Sequence, residues 1–289
     1  MKVAGFSFVR NALKYDYPIV EAITSILPLC DLFVVAVGHS EDNTLELIQS
    51  IDSPKLKILE TEWDDSLREG GRVLAEETNK ALRAIPEDYD WAFYIQGDEV
   101  IHEQYHAALK RGMEQWKNHQ EVEGLLLHYT HFYGSYDYVG ISRRWYRREV
   151  RIVRPKAAIT SYRDAQGFRK NDRKLQVKPV EAHMYHYGWV KPPEKQQAKQ
   201  ESFNKLWHDD QWMEKNVPKR AAFDYSEIDA LARFKGSHPA VMQARVDRSN
   251  WQFDHDLSRT NFTAKEALLY RIERLTGWRV GEYKNFKLI

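Results

Sequence analysis

Two adjacent carboxylates, Asp98 and Glu99, follow a predicted buried strand, and Gly97 stands directly before them. A glycine lets a ligand or another stretch of backbone come close to such carboxylates. Mg²⁺ and Mn²⁺ prefer oxygen ligands and often bridge a protein carboxylate to a diphosphate, so the pair is suited to a divalent cation. A solvated turn at the start of the next helix, where acidic side chains are favoured, explains the same residues. Both interpretations stay open.

Two histidines, His183 and His186, lie in the aromatic run 183–189. The flanking aromatic residues favour a strand, which argues against a zinc-binding pair on a helix. In a strand, residues three apart point to opposite faces, so we do not expect these two to chelate one ion together. A packed and hydrogen-bonded core histidine is the alternative for each.

Six arginines lie in the segment 143–154, interleaved with Trp145 and Tyr146. Guanidinium groups pair with phosphates and stack on rings, so the segment suits a diphosphate or an anionic acceptor. A strand whose arginines are solvated or ion-paired fits equally well. Contact with nucleic acid is the third alternative, and the formal net charge of +1 disfavours it.

The composition narrows the class of protein. The near balance of 43 Lys+Arg against 42 Asp+Glu excludes a nucleic-acid binder that depends on bulk charge. A single cysteine, Cys30, excludes an intrachain disulfide and a thiolate metal cluster. The first residues contain no apolar segment typical of a secretory signal, which predicts a cytoplasmic protein, with peripheral membrane contact left open.

Aromatic residues make up 13% of the chain, and many of them cluster at 129–145 and 185–189, outside the predicted parallel strands. Flat rings present apolar faces to sugars and also stack on bases. The clusters therefore predict a saccharide-binding region, with Tyr136, Trp145 and Trp189 as the candidate acceptor-binding residues.

The first hundred residues alternate between strand-like and helix-like periods. The predicted strands cover 3–9, 32–37, 55–59 and 91–96, and the predicted helices cover 17–29, 43–51 and 69–85. This order predicts an α/β fold with a mostly parallel, twisted sheet and helices on both faces. Because ligands collect beyond the carboxyl ends of such strands, the loops at 10–11, 38–44 and 97–103 are the candidate site.

The later part of the chain is different in character. A helix at 103–117 precedes short, aromatic-rich strands within 124–154, and the charged segment 155–182 predicts loops. Pro193 begins a helix with Lys195, Lys199 and Lys205 on its polar side, a side suited to docking on a partner or a membrane. The last helix is predicted from Thr263, in a capping box, to near Gly277.

No repeat or linker divides the chain, so one catalytic-type domain with an extension is the simplest organisation. The predicted parts are a catalytic-type domain at 1–190, whose second half at 116–190 is rich in aromatic residues, and a mainly helical C-terminal extension at 191–289.

The order of these pieces resembles the family 2 glycosyltransferases and their nucleotide-sugar-binding GT-A fold, chiefly over residues 1–115. Phe8-Val9-Arg10-Asn11 is similar to that family's opening, which grips the nucleotide base. Ser40-Glu41-Asp42-Asn43-Thr44 is similar to its Ser-x-Asp-x-Thr loop, and Gln96-Gly97-Asp98 stands where it has Asp-x-Asp, with Gln96 in place of the first acid. Asn79 stands where the family carries an Arg-Asn pair, with Arg72 upstream. The resemblance thus implies a nucleotide-sugar site made by Arg10, Asn11, Asp42, Arg72, Asn79 and Gln96. It also implies that residues 1–115 form a nucleotide-binding half and residues 116–190 an acceptor half.

The resemblance also implies a Mn²⁺ or Mg²⁺ cofactor on Asp98, with Glu99 as a helper and His186 as a late ligand. Inverting transfer needs a base that deprotonates the acceptor hydroxyl. The family type is a mid-chain Asp or Glu, for which Asp164 is the candidate and Asp137 and Glu181 are rivals.

The function implied is a metal-assisted, inverting glycosyltransferase in the synthesis of a surface polysaccharide or glycan. It would move a sugar from a nucleoside-diphosphate sugar donor to a saccharide or lipid-linked acceptor. Two alternatives stay open. One is a sugar nucleotidyltransferase, although Phe8-Val9-Arg10-Asn11 is not a Gly-rich phosphate loop. The other is a non-catalytic carbohydrate- or RNA-binding protein on a decayed transferase scaffold, which Gln96 supports.

Overall fold

A computed structural model describes residues 1–67, 69–208, 210–216 and 220–289 of the chain. Its strands, in chain order, are β1 (Val3–Val9), β2 (Leu32–Gly38), β3 (Leu56–Thr61), β4 (Trp91–Tyr94), β5 (Glu99–Ile101), β6 (Gly124–Tyr133), β7 (Ser135–Gly140), β8 (Arg148–Val153), β9 (Ile159–Tyr162), β10 (Gly167–Lys170), β11 (Arg173–Lys174), β12 (Gln176–Trp189), β13 (Leu231–Arg233) and β14 (Lys287–Leu288).

The helices are α1 (Ile19–Ile26), α2 (Thr44–Gln49), α3 (Arg72–Arg83), α4 (His106–Trp116), α5 (Pro193–Lys205), α6 (Asp210–Asn216), α7 (Gln243–Asp247) and α8 (Ala264–Thr276). Short 3₁₀ turns lie at Leu27–Leu29, Glu69–Gly71, Glu103–Tyr105 and Ala240–Met242.

The main sheet has the strand order β13-β7-β6-β8-β4-β1-β2-β3, and β12 pairs with β6, β5 and β14. Strands β1 to β4 are mutually parallel, whereas β8 runs antiparallel to β4 and to β6. The chain builds outward from β1 to β2 and β3, and then crosses to β4 on the other side of β1. The loops after β1 and β4 therefore diverge, and this divergence opens a crevice at the carboxyl ends of the strands.

Apolar side chains cover both faces of the parallel strands. On β2, Phe33, Val35 and Val37 pack with α1 and α4, while Val34 and Ala36 pack with α3 on the other face. A strand buried on both faces has a continuous apolar sequence, which is why β1, β2 and β4 were predictable. The expected α/β class, a sheet with helices on both faces and a C-terminal part with further helices, is confirmed.

The segment 155–182 is not a set of loops, and that prediction was wrong. It contains β9, β10, β11 and the first half of β12, and it buries Phe168 and Leu175 in the core. Charged residues between the apolar ones hide the alternation, and the strands are very short. The β9–β10 turn also uses left-handed backbone at two ordinary residues, Arg163 (φ 54°) and Ala165 (φ 61°), and so lacks the usual glycine signal.

The C-terminal residues join the rest of the molecule at several points. β13 pairs with β7, and β14 pairs with β12. The capping box at Thr263 and Glu266 is confirmed, and α8 ends before Gly277 in left-handed backbone (φ 70°). Within the described residues, no helix has the length and apolar character needed to cross a membrane. The division of the chain at residue 190 stays a prediction.

Glu123 connects β6 to the strands of the 155–182 segment. Its carboxylate accepts hydrogen bonds from Lys170 Nζ (2.8 Å), Arg173 Nη2 (2.6 Å) and the backbone N–H of Gln176 (3.0 Å). Burial alone would raise the pKa of Glu123, but these donors outweigh burial and lower it to about 2. Folding therefore favours the ionised form of Glu123.

We expect Glu123→Gln to lower the free energy of unfolding by about 1 to 3 kcal/mol at neutral pH, because charge-assisted hydrogen bonds are lost. A depressed pKa in the folded state stabilises the fold above the ordinary pKa of 4.5, and this contribution disappears as pH falls toward 2. Urea unfolding of both proteins between pH 7 and pH 2 should show the difference shrinking. The exposed Glu114→Gln is the matched control, and a pH-independent difference would contradict the prediction.

Candidate functional site

A cleft of about 810 Å³ lies at the carboxyl ends of β1 to β4. This volume is in the range of small-molecule sites. The loops after β1, β3 and β4 form one side, and the β9–β10 turn, the end of β12 and helix α5 form the other. The crevice at the divergence of β1 and β4 is therefore covered by a C-terminal helix.

Asp98 lies at the centre of the cleft and is 8% exposed. Its Oδ2 accepts a hydrogen bond from Lys199 Nζ of α5 at 2.9 Å, and its Oδ1 lies 3.7 Å from Nε2 of His186. Burial by itself would raise the pKa of Asp98, but the Lys199 ammonium holds it well below its usual range. The carboxylate is thus ionised and balanced by protein cations.

A second lysine, Lys191, lies fully buried behind this pair. Its Nζ donates to the carbonyl of Asp16 at 2.9 Å and lies 4.7 Å from the ring centre of Tyr17. Lys199 Nζ lies 5.1 Å from the same ring, so Tyr17 is close to both ammonium groups. Burial lowers the pKa of Lys191 to about 7.

His186 extends a chain of hydrogen bonds from the core into the cleft. His131 Nε2 lies 2.8 Å from the carbonyl of Tyr146, and His131 Nδ1 lies 3.1 Å from His186 Nδ1. Because a carbonyl only accepts, His131 donates from Nε2 and accepts at Nδ1, and His186 donates from Nδ1. Burial lowers the pKa of both rings. Neutral His186 therefore has an accepting Nε2 at the cleft.

Glu99 is turned away from the cleft. Its carboxylate is fully buried, accepts from Arg151 Nη2 (2.8 Å) and from the Tyr129 hydroxyl (2.6 Å), and also accepts from the backbone N–H of Gln96 (3.0 Å). The ion pair with Arg151 of β8 holds the carboxylate in the core, although Glu99 lies opposite His186 in the ladder of β5 with β12. Glu99 thus supports the core beside the site.

The residues present do not fit a Mg²⁺ or Mn²⁺ ion. Asp98 and His186 lie 3.7 Å apart at the cleft, but Glu99 is paired to Arg151, and the described residues contain no group of three or more His, Cys, Asp or Glu side chains that could hold a metal. Of the three candidate ligands, Asp98 and His186 remain at the cleft, with the Lys199 ammonium already on the carboxylate. Mg²⁺ is commonly held by one or two carboxylates together with substrate phosphates, and here the one carboxylate of the set already carries a positive partner.

Arg10 and Asn11, the two predicted nucleotide-binding residues that follow β1, line the cleft. Arg10 forms an ion pair with Asp65 (2.8 Å), and its guanidinium lies 5.3 Å from the ring centre of Trp63. Asn11 has left-handed backbone (φ 55°), and its Oδ1 accepts from the N–H of Glu41 at 2.8 Å. Asn11 therefore ties the loop after β1 to the loop after β2.

The other predicted nucleotide-binding residues are distributed differently. Gln96 lines the cleft, and its Nε2 donates to the carbonyl of Ala165 at 3.3 Å. Asp42 accepts from the N–H of Lys14 (2.6 Å) and joins two loops outside the cleft lining. Asn79 binds the backbone of Ser161, joining α3 to β9, and Arg72 is exposed at the start of α3.

Asp164 lines the cleft in the β9–β10 turn, whereas its rivals Asp137 and Glu181 are exposed outside the cleft lining. Burial raises the pKa of Asp164. The two left-handed residues that flank it, Arg163 and Ala165, and the contact of Ala165 with Gln96 fix its place near the end of β4. A carboxylate with a raised pKa in a cleft is suited to accept a proton.

Of the three predicted acceptor residues, Trp189 lines the cleft. Trp145 is buried behind it, with the two ring centres 6.1 Å apart, and Tyr136 is buried against Tyr187 and Trp251. The aromatic cluster is thus mainly core, and one ring of it reaches the cleft.

The arginine-rich segment is largely ion-paired within the fold. Arg143 pairs with Glu273, Arg147 pairs with Glu282, and Arg151 pairs with Glu99. Arg154 donates to backbone carbonyls, among them that of Val122 at 2.8 Å. The contacts of Arg143 and Arg147 join the segment before β8 to the C-terminal residues. The sequence left an ion-paired segment open as one alternative, and the structure agrees with it.

Several cleft residues were missed by sequence reasoning. Trp63 and Asp65 directly follow β3, at the same edge as the loops after β1 and β4, and this position is a signal that could have found them. Lys199 was assigned to the polar side of its helix. Nothing local in the sequence indicates that this side faces a buried carboxylate.

Comparison with protein-family models and with curated proteins finds no match. Among solved structures, the chain is similar to S. aureus TarS (17% identity, TM-score 0.41), over 70% of this chain and 39% of that chain. It is similar to 4-diphosphocytidyl-2C-methyl-D-erythritol synthase from Anaerococcus prevotii (12%, TM-score 0.40), over 70% of this chain and 94% of that one. It is also similar to glucosyl-3-phosphoglycerate synthase from Mycobacterium tuberculosis, solved with Mn²⁺, UDP and phosphoglyceric acid. That match has 16% identity and a TM-score of 0.29, over 45% of this chain and 43% of that chain. The chain spans 39% of the length of the TarS structure, and all three likenesses are partial.

We expect Arg151→Met to lower the free energy of unfolding by about 3 to 5 kcal/mol, because it leaves the buried Glu99 carboxylate unpaired. The double variant Arg151→Met with Glu99→Gln should recover part of this loss, since the uncompensated charge is gone. Denaturant unfolding measures all three. Arg144→Met, at a side chain 52% exposed, is the control and should change stability by less than about 0.5 kcal/mol. Equal losses for Arg151→Met and Arg144→Met would contradict the role of the buried pair.

Proposed function

We propose that this protein is a glycosyltransferase that takes a sugar from a nucleoside-diphosphate sugar and transfers it to a hydroxyl of a saccharide or lipid-linked acceptor. One observation carries the proposal. The two motifs that resemble family 2 glycosyltransferases, Arg10-Asn11 and Gln96-Gly97-Asp98, meet in one cleft at the divergence of β1 and β4.

The nucleoside is proposed to lie at the β1–β3 side of the cleft. Phe8 and Trp63 have ring centres 5.8 Å apart there, and Arg10 lies against Trp63. Aromatic faces and a guanidinium suit a base and ribose. The diphosphate is then proposed to lie toward Lys199, where the cleft carries positive charge beside Asp98.

Asp164 is proposed as the general base. The acceptor oxygen attacks the sugar C1 while its proton passes to the Asp164 carboxylate, and the bond from C1 to the diphosphate oxygen breaks with its electron pair leaving on that oxygen. Attack from the face opposite the leaving group gives inversion. The raised pKa of Asp164, caused by burial, supports this assignment.

The acceptor is proposed to stack on Trp189. This ring is the member of the aromatic cluster that lines the cleft, and Tyr133, Trp145 and Phe223 pack around it. A ring held rigidly by other rings presents a fixed apolar face, which suits a pyranose.

We expect Asp164→Asn to reduce kcat by about 10²- to 10⁴-fold, because the acceptor hydroxyl loses its proton acceptor. The assay is release of UDP or GDP from a panel of UDP- and GDP-sugars with mixed saccharide acceptors. Asp137→Asn, an exposed carboxylate on β7, is the matched control and should keep full activity. Full activity of Asp164→Asn would remove it as the base, and binding of glycan or RNA without any nucleotide binding would favour the non-catalytic alternative.

Trp189→Leu should raise the acceptor KM by about 10-fold and leave the donor KM nearly unchanged, because stacking on one ring contributes of the order of 1 to 2 kcal/mol. Initial rates with each substrate varied in turn measure both constants. Trp278→Leu, at a ring 65% exposed, is the control. Equal changes in both KM values would contradict an acceptor-specific role.

A further inference from the structure

A lysine stands where the resemblance implies a divalent cation. Lys199 Nζ donates to Asp98 Oδ2 at 2.9 Å and to the carbonyl of Gly188 at 2.9 Å. An ammonium has three N–H donors, so two are used by the protein and one is left for a ligand. Because Lys199 lines the cleft, that ligand would be whatever the cleft holds.

Gly188 shapes the place where the Lys199 ammonium binds. A Cβ on residue 188 would lie 2.7 Å from Asp98 Oδ2 and 2.7 Å from His186 Nε2, which is closer than real side chains allow. The absence of a side chain lets the backbone of β12 approach Asp98, and the carbonyl of Gly188 then completes the seat of the ammonium. Three elements, the end of β4, β12 and α5, therefore converge on one nitrogen.

Helix α5 is held in place at a second point on the same face. Lys195 precedes Lys199 by one turn, and its Nζ donates to the carbonyls of Leu13 (3.4 Å) and Lys14 (3.1 Å). These carbonyls belong to the loop after β1, which also carries Arg10 and Asn11. The helix thus spans the cleft from the loop after β1 to the end of β4.

The charge around Asp98 leaves no place for a second cation. Lys199 contacts the carboxylate, and Lys191 and Lys199 lie on the same Tyr17 ring at 4.7 Å and 5.1 Å. A divalent ion on Asp98 would have to displace the Lys199 ammonium or lie beside it, with Glu99 already paired to Arg151. Two positive groups that close repel each other strongly where little water intervenes.

We propose that the Lys199 ammonium, seated on Asp98 and Gly188, takes the role of the divalent cation, so that the protein binds a nucleoside diphosphate without metal. This inference rests on the proposed function. As the bond from the sugar C1 to the diphosphate breaks, its electron pair goes to the leaving oxygen, and the ammonium stabilises that charge by a hydrogen bond while keeping its own proton. Asp98 is then a positioning residue for Lys199, and Asp164 receives the acceptor proton.

The test is calorimetric titration of the full chain with UDP and with GDP, each in EDTA and in Mn²⁺. We expect one of them to bind with the same Kd in both buffers. Lys199→Met should weaken that binding by about 10- to 100-fold, as expected for loss of a hydrogen bond between charged groups. Lys199→Arg should retain most of it, and Lys110→Met, an exposed lysine on α4, should bind as the wild type does.

A double variant distinguishes direct contact between Lys199 and the nucleotide from a role of Lys199 that is limited to supporting Asp98. Asp98→Asn with Lys199→Met removes both charges, so a folded double variant that binds as weakly as Lys199→Met supports direct contact. Recovery of wild-type binding in the double variant would overturn it. Binding that appears only with Mn²⁺ would also overturn the inference and leave the proposed function intact, whereas no binding of either nucleotide in either buffer would overturn both.

Discussion

The burial of two neighbouring carboxylates at the end of β4 is the constraint on which the rest of the site depends. An ionised carboxylate out of water is strongly unfavourable unless an opposite charge and hydrogen bonds compensate it. Glu99 is compensated by Arg151 from β8, and Asp98 is compensated by Lys199 from α5. The two side chains lie where the turn after β4 meets β5, and each recruits a different part of the chain. Glu99 thereby joins the parallel strands to the antiparallel ones, and Asp98 joins them to the helix over the cleft.

The N-terminal strands could be predicted because their signals are local. Fully buried strands have continuous apolar sequences, and the order of strands and helices determines that the loops after β1 and β4 meet. Arg10, Asn11 and Asp98 lie in loops found in this way, whereas Gln96 was named from the family resemblance. The prediction for Asp164 came from the resemblance and not from any local pattern.

The contacts that could not be predicted join residues that are far apart in the sequence. Arg151 lies 52 residues from Glu99, and Lys199 lies 101 residues from Asp98, so neither partner is visible in a local pattern. A lysine side of a helix ordinarily faces water, and only the position of α5 over the cleft reverses that expectation. The same limit applies to the aromatic residues, because composition does not distinguish Tyr136 and Trp145 in the core from Trp189 in the cleft. The prediction of loops at 155–182 was wrong because β9, β10 and β11 are very short. The turn between β9 and β10 also has left-handed backbone at ordinary residues instead of glycine.

The distance along the chain between Asp98 and Lys199 has a consequence for the order in which the site forms. A chain synthesised from its N-terminus makes β1 to β4 long before α5, and N-terminal parts begin to fold first. Until α5 arrives, Asp98 must stay hydrated at an open edge of the sheet. The Asp98 carboxylate gains its Lys199 partner only in a chain that has been made at least through Lys199. The pair of charges therefore makes the assembly of the binding site a late event, and an incompletely synthesised chain would present a fold without a finished cleft.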